Sequence, residues 1–349
     1  MKKLTLFSVL AALLAVMFTG ACTSQKPTLN IYNWGDYLAP SVVEKFEKEF
    51  DCKVKVDAFD SNEAMYAKLK AGASGYDIAV PSSYMAVLMQ MQGMLEKLDL
   101  QKLPSVAKNI DRSYLKYSLD SNMEYSIPYF ASFTGIGYDK NKVKDFKPSW
   151  RMFEREDLKN RCSLLNDMRE VIGAAMKTLG KDVNSVNAED VKAAVELTLK
   201  WKKNIAKFEV DDAKRALASG EFIMIQTYSG DMLQVMSEND NIGFVIPEEG
   251  STCTFDNLVV LKDSKNKDLA MKFIDFIYRP EICAENMNEI MYITPNTAAL
   301  PLVDKELSGN PAFNIPENVR AKCASLKDLG ESNQIFVKAW ETIKQTEAK

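Results

Sequence analysis

An α/β protein of two domains is what the sequence predicts, from the alternation of short apolar runs with amphipathic segments, from a length of 349 residues, and from the absence of tight hairpin signals. From Leu29 the order reads strand, helix, strand, helix, strand. Leu29 to Trp34 is a short apolar run, and Ser41 with Glu44 has the spacing of a capping box ahead of Val43, Phe46 and Phe50. Lys53-Val54-Lys55-Val56 alternates with the period of a strand. Ser61 or Asn62 stands where a helix carrying Met65 and Leu69 would be capped, and Gly72 where it would end. Tyr76 to Val80 is the next strand. No Asn-Gly or Asp-Gly pair interrupts this stretch, so a largely parallel sheet with helical crossovers is expected. Ligands of such sheets sit beyond the carboxyl ends of the strands. Those ends are Asn33-Trp34-Gly35-Asp36-Tyr37 and Pro81-Ser82-Ser83-Tyr84.

Beyond Ile127-Pro128-Tyr129 and Gly135-Ile136-Gly137-Tyr138 the chain becomes helix-rich, with Val191, Val195 and Leu199 marking an amphipathic helix over Ala188 to Lys203. A second domain is expected to start there. Strands are expected again at Phe222 to Thr227, Gly243 to Ile246 and Leu258 to Leu261, followed by a helix over Leu269 to Tyr278.

Composition narrows the chemistry. There is no histidine, which removes the usual general base, the imidazole metal ligand and the partner of a Ser or Cys nucleophile. Binding without catalysis and without a cofactor is the expectation, and a carboxylate-pair glycosidase is the enzymatic alternative. The 44 basic and 48 acidic residues are interspersed, which gives no nucleic-acid footprint.

Lys2 and Lys3 precede an apolar run from Leu4 to Phe18, too short to span a bilayer comfortably, and Gly20 and Ala21 follow as small residues before Cys22. This is the pattern of an export signal. Thr19-Gly20-Ala21-Cys22 resembles a lipobox, with Thr at the position where Leu is usual, and implies a signal peptide over 1–21, acylation of Cys22 and a tether over 22–28. An ordinary secretory signal is the alternative. The other cysteines are odd in number and scattered, without the spacing of a zinc site or a disulfide framework.

Six segments, in order, carry a resemblance: Ile31-Tyr32-Asn33-Trp34, Ser61 to Leu69, Tyr76 to Ser82, Ser126-Ile127-Pro128-Tyr129, Asp167-Met168-Arg169-Glu170 and Tyr292-Ile293-Thr294-Pro295-Asn296. Together they resemble the periplasmic spermidine/putrescine-binding proteins of the PotD type, from about Leu29 to about Leu300. The resemblance implies an α/β, two-lobed type II periplasmic binding fold with a hinge and a ligand cleft between the lobes. It places residues 29–132 with 256–298 in the first lobe, 133–255 with 299–349 in the second, and crossings near Ala131 to Gly135 and Thr254 to Asn257. The implied partners are a polyamine, the membrane permease of an ABC importer and, through Cys22, the periplasmic face of the cytoplasmic membrane. A monomer is expected.

A polyamine is a methylene chain ending in ammonium groups, so its site needs carboxylates at the ends and aromatic faces between. Asp167 and Glu170, three residues apart, share one face if that turn is helical, and by the resemblance they hold ligand ammonium groups. From spacing alone they read equally as the acidic first turn of a helix. The resemblance assigns Asp256 the same role near the hinge, makes Asp36 a further candidate, gives Trp34, Tyr37, Tyr84, Tyr228 and Tyr292 to the aromatic lining, and makes Ser82 a polar contact. Gly35, Tyr228 and Thr254 depart from the family pattern, which has a hydroxyl residue at the first and Trp at the other two. Altered selectivity among polyamines is therefore expected. A different solute, such as iron or a sugar, and a purely adhesive surface lipoprotein remain the other readings.

Overall fold

The computed structural model describes residues 26–347 except 60, 116, 117, 311 and 314; the signal peptide expected over 1–21 and Cys22 lie outside the described residues. The chain opens with β1 (Thr28–Trp34), α1 (Pro40–Phe50), β2 (Lys53–Phe59), α2 (Asn62–Lys70), β3 (Ile78–Ala79) and α3 (Ser83–Met91). Ser61 caps α2, its Oγ accepting from the Ala64 amide at 3.2 Å. The expected capping box of Ser41 and Glu44 does not form. Pro40, with φ preset and no N–H to satisfy, starts α1 one residue earlier, and Ala39 takes the cap position without a side-chain hydrogen bond.

The long strand β4 (Ile127–Asp139) follows. Then come β5 (Cys162–Leu164), α4 (Met168–Thr178), α5 (Ala188–Lys202), β6 (Ile205–Phe208), α6 (Asp211–Ser219), β7 (Met224–Tyr228), α7 (Ser229–Glu238), β8 (Ile242–Val245) and β9 (Thr252–Val260). The chain ends with α8 (Lys267–Ile277), α9 (Pro280–Ile290), β10 (Ala324–Ser325) and α10 (Gln334–Gln345), with shorter helical turns between.

All strands join one sheet in the order β2-β1-β3-β9-β4-β7-β5-β6, with β8 beside β4 and β10 beside β9. The wings are parallel where helices connect the strands: β1 with β2 and β3, and β5 with β6 and β7. The centre is not, contrary to the expectation of a largely parallel sheet. β4 runs antiparallel to β7, β8 and β9, and β9 antiparallel to β3, because these two strands carry the chain between the wings in opposite senses. β4 pairs with β9 from Ile127 to Phe133 and with β7 from Thr134 onward, so it passes from one wing to the other between those two residues.

Alternate residues feed cores on opposite faces of the first wing. Ile31, Ile78 and Val260 join a large cluster with Phe46, Phe130 and Phe273, whereas Tyr32, Ala79 and Val259 join a smaller one with Met65 and Met89. Burial on both faces is why these strands read as continuous apolar runs. In the second wing Trp150, Phe153, Ile172, Trp201 and Met224 form another core, which α10 completes with Phe336 and Ile343. Val303, Leu307, Ala312 and Phe313 pack with the first core on the way there.

Cys52, Cys162, Cys253, Cys283 and Cys323 are buried and unbridged. Burial pushes the thiols of Cys162, Cys253 and Cys283 up to about 12, so they act as small apolar groups. Trp150 is fully buried and its indole N–H donates to the Gly250 carbonyl at 2.9 Å. Trp150→Ala is expected to cost about 3–5 kcal/mol, seen as a lower midpoint in urea unfolding.

Candidate functional site

The β4/β9 ribbon at the centre of the sheet organises the polar cluster. Asp256 lies on β9 opposite Phe130, only 9% exposed. Its Oδ2 accepts from the Tyr37 hydroxyl at 2.9 Å and its Oδ1 from the Ser82 hydroxyl at 2.7 Å. Both donors come from loops that follow strand ends, Tyr37 after β1 and Ser82 after β3. The Trp34 indole N–H is close enough to favour the ionised form of the same carboxyl, yet makes no regular hydrogen bond. Burial outweighs these donors and lifts Asp256 to about 6.

Asp167 and Glu170 stand at the start of α4. Asp167 is its N-cap, with Oδ1 accepting from the amides of Arg169 at 2.8 Å and Glu170 at 3.1 Å. The helix-start reading of this pair is therefore true of Asp167, and capping leaves its second oxygen out of the bond. Burial raises its carboxyl, against the pull of those amides. Glu170 is 2% exposed and its Oε2 accepts from the Thr252 hydroxyl, with the Thr134 hydroxyl also favouring its ionised form. Burial, reinforced by the charge of Asp167, lifts it to about 7.

Aromatic rings connect the two acidic ends. Tyr37 meets Phe130 edge-on at 4.9 Å and Tyr292 at 5.0 Å. The Tyr228 phenol is held well above its ordinary value by burial first, then by Asp167, Glu170 and Tyr292, which places it near the Asp167 and Glu170 end. Tyr84 is raised by burial, then by Glu63 and by Asp167 from the opposite wing. Trp34 is half-buried, its ring tilted against Phe59 at 4.4 Å.

Of the expected site residues, the structure thus connects Trp34, Tyr37, Ser82, Tyr84, Asp167, Glu170, Tyr228, Asp256 and Tyr292 through contacts or mutual charge effects. Asp36 stands apart, exposed in a turn with φ of 49°. Three neighbours were not expected: Glu63, whose Oε1 accepts from the Tyr84 hydroxyl at 3.1 Å, and the two threonines beside Glu170. Nothing local marks either threonine: Thr134 pairs with Tyr228 of β7 and Thr252 opens β9, and only tertiary packing brings both hydroxyls to Glu170.

The two wings touch at Gly230 on α7. A β-carbon there would lie 2.2 Å from the Tyr292 ring, which a real side chain does not tolerate. Gly230→Ala is expected to push Tyr292 out of the cluster at a cost of about 1–3 kcal/mol, seen as a lower midpoint in urea unfolding. Two cavities, of about 570 and 150 Å³, share none of the expected site residues except through their neighbours Ile293 and Thr294.

The arrangement is a buried, acidic cluster lined by aromatic rings where the two wings meet. The profile of the bacterial extracellular solute-binding protein family matches residues 41–315. The chain is 35% identical to the putrescine-binding periplasmic protein PotF of Escherichia coli (strain K12), over 99% of this chain and 98% of the relative. Among solved structures, the TpPotD lipoprotein of Treponema pallidum superposes with a TM-score of 0.84 at 32% identity, covering 90% of this chain and 99% of that one. The spermidine/putrescine ABC transporter substrate-binding protein PotD of Streptococcus pneumoniae superposes at 0.82 with 32% identity, covering 91% and 100%. These are two-lobed α/β proteins of the expected kind, and the chain belongs with them to the family of bacterial extracellular solute-binding proteins.

Proposed function

We propose that this protein captures a polyamine such as putrescine or spermidine outside the cytoplasm and delivers it to the permease of an ABC importer. The observation that carries the reading is the burial of carboxyl groups on both sides of a cluster of aromatic rings, Asp256 on one and Glu170 with Asp167 on the other. Each ammonium would meet a carboxylate in a charge-assisted hydrogen bond, and the aromatic faces would cover the methylenes and attract the cations. A sugar needs the rings but not buried acids, and iron, which calls for adjacent oxygen ligands, is disfavoured by an aromatic-rich site.

In this reading residues 29–132 with 256–298 form one lobe and 133–255 with 299–349 the other, with β4 and β9 as the hinge. The stretch from Val303 to Phe313 is the exception within 299–349, because it packs against the core of the first lobe and is assigned there instead. The protein acts as a monomer without cofactor or nucleic acid, and Cys22 anchors it by acyl chains to the periplasmic face of the cytoplasmic membrane. The lipoprotein description of the Treponema relative supports that anchor. The role is binding for transport rather than catalysis.

The test is isothermal titration of the purified protein with putrescine, spermidine and an oligosaccharide at pH 8. Saturable micromolar or tighter binding of an amine and none of the sugar is expected. Absence of any amine binding would sink the proposal.

A further inference from the structure

Asp256 is held by two hydroxyls, and one of them has its direction set by a side chain outside the acidic cluster. Asn62 is the first residue of α2 and only 6% exposed. Its Oδ1 accepts from the Ser82 amide at 3.0 Å, and its Nδ2 donates to the Ser82 hydroxyl oxygen at 3.1 Å. The side-chain amide cannot be turned round, because a backbone N–H only donates and so must face the oxygen. A serine hydroxyl carries one proton and two lone pairs. With one lone pair taken by Asn62, the proton points away from it, to Asp256 Oδ1 at 2.7 Å. The place of Ser82 does not depend on Asn62. Ser82 forms a backbone bridge with Asp256, the Asn257 amide donates to the Pro81 carbonyl at 2.8 Å, and the Ser82 carbonyl accepts from the Met85 and Ala86 amides at the start of α3.

We propose that Asn62 is a positioning residue: it aims the Ser82 proton at Asp256 and so keeps that carboxyl charged for a cationic ligand. The inference rests on the polyamine reading above only for the charge of the ligand. A donor to the hydroxyl oxygen polarises the O–H and strengthens its bond to the carboxylate, by about 10–30% in a chain of this kind. Hydrogen bonds to the charged form of an acid favour that form. Burial opposes the charge on Asp256, and of the groups that favour it Ser82 contributes most, ahead of the Tyr37 hydroxyl and the Trp34 indole. The Tyr292 phenol also faces the carboxyl.

The test is the titration of Asp256 itself in the ligand-free protein, followed by NMR through the carboxyl carbon signal that Asp256→Asn removes. The midpoint of about 6 is expected to rise by about 0.5 in Asn62→Ala, and by about 1 in Asn62→Asp, whose second oxygen accepts the Ser82 proton instead. In a Ser82→Ala background the Asn62→Ala rise is expected to vanish, and the Asn62→Asp rise to fall by about half, the remainder being the added charge. A merely structural role for Asn62 would not need the serine hydroxyl. Asn62→Asp keeps an acceptor for the Ser82 amide and decides the question should Asn62→Ala lose its fold. A midpoint unchanged in the folded Asn62 variants, or a rise of the same size without the Ser82 hydroxyl, would overturn the proposal. Since no ligand is present, this outcome is independent of amine binding, and failure of putrescine and spermidine to bind the wild-type protein would overturn the polyamine reading alone.

Discussion

Alanine at position 256 is expected to weaken polyamine binding at least tenfold, and by about a hundredfold if the carboxylate meets an ammonium directly, since hydrogen bonds to charged groups contribute about 1.5–3 kcal/mol. The fold should survive. Asp256 sits on a strand whose ladder is made by backbone groups, and removing its carboxyl frees two hydroxyls near a groove rather than opening the core. Asp256→Asn separates charge from shape, because an amide oxygen still accepts from Tyr37 or Ser82. Its affinity loss should approach that of the alanine variant in titration at pH 8, with a melting temperature at or above that of the parent. A dissociation constant unchanged in both variants would remove Asp256 from the site.

Affinity is also expected to rise steeply with pH. Asp256 is lifted to about 6 and Glu170 to about 7, each chiefly by burial. A carboxyl raised in the folded state favours folding when protonated. That stabilisation is fully present below the ordinary values of 3.8 and 4.5 and is lost as pH climbs through about 6 and 7. The free protein should therefore lose stability from these two groups between about pH 4 and pH 7. Ammonium ligands act in the opposite sense, because they bind the ionised forms and compete with protons. The dissociation constant should fall roughly 10- to 100-fold from pH 5.5 to pH 8, with protons released on binding near pH 6.5. Calorimetry in two buffers of different ionisation enthalpy counts those protons. A flat profile with none released would contradict the placement of these carboxyls at the ligand.

Much of the first wing was legible because its helices and strands follow local rules. Ser61 caps where a polar residue precedes an amphipathic run, and the strands at Leu29 and Tyr76 are mostly apolar because both of their faces are covered. What escaped notice depends on distant pairing. Nothing near Thr134 or Thr252 announces that they face Glu170, since 82 residues separate the last two and only the packing of α4 against β9 joins them. The antiparallel centre was missed for the same reason, because strand direction follows from which wing the chain is returning to. The acid pair at Asp167 and Glu170 carried two local meanings, and the structure gives Asp167 both the helix cap and a place beside the rings. At Ser41, capping spacing was outweighed by the fixed dihedral of the proline before it.

Two adjacent strands tied rung to rung, and shared by both halves of the molecule, determine how those halves move. Sliding one half past the other would break a series of backbone bonds together, whereas flexing or twisting the ribbon keeps nearly all of them. Should the halves part to admit a solute, as proposed, the opening is thereby confined to a swing about one axis.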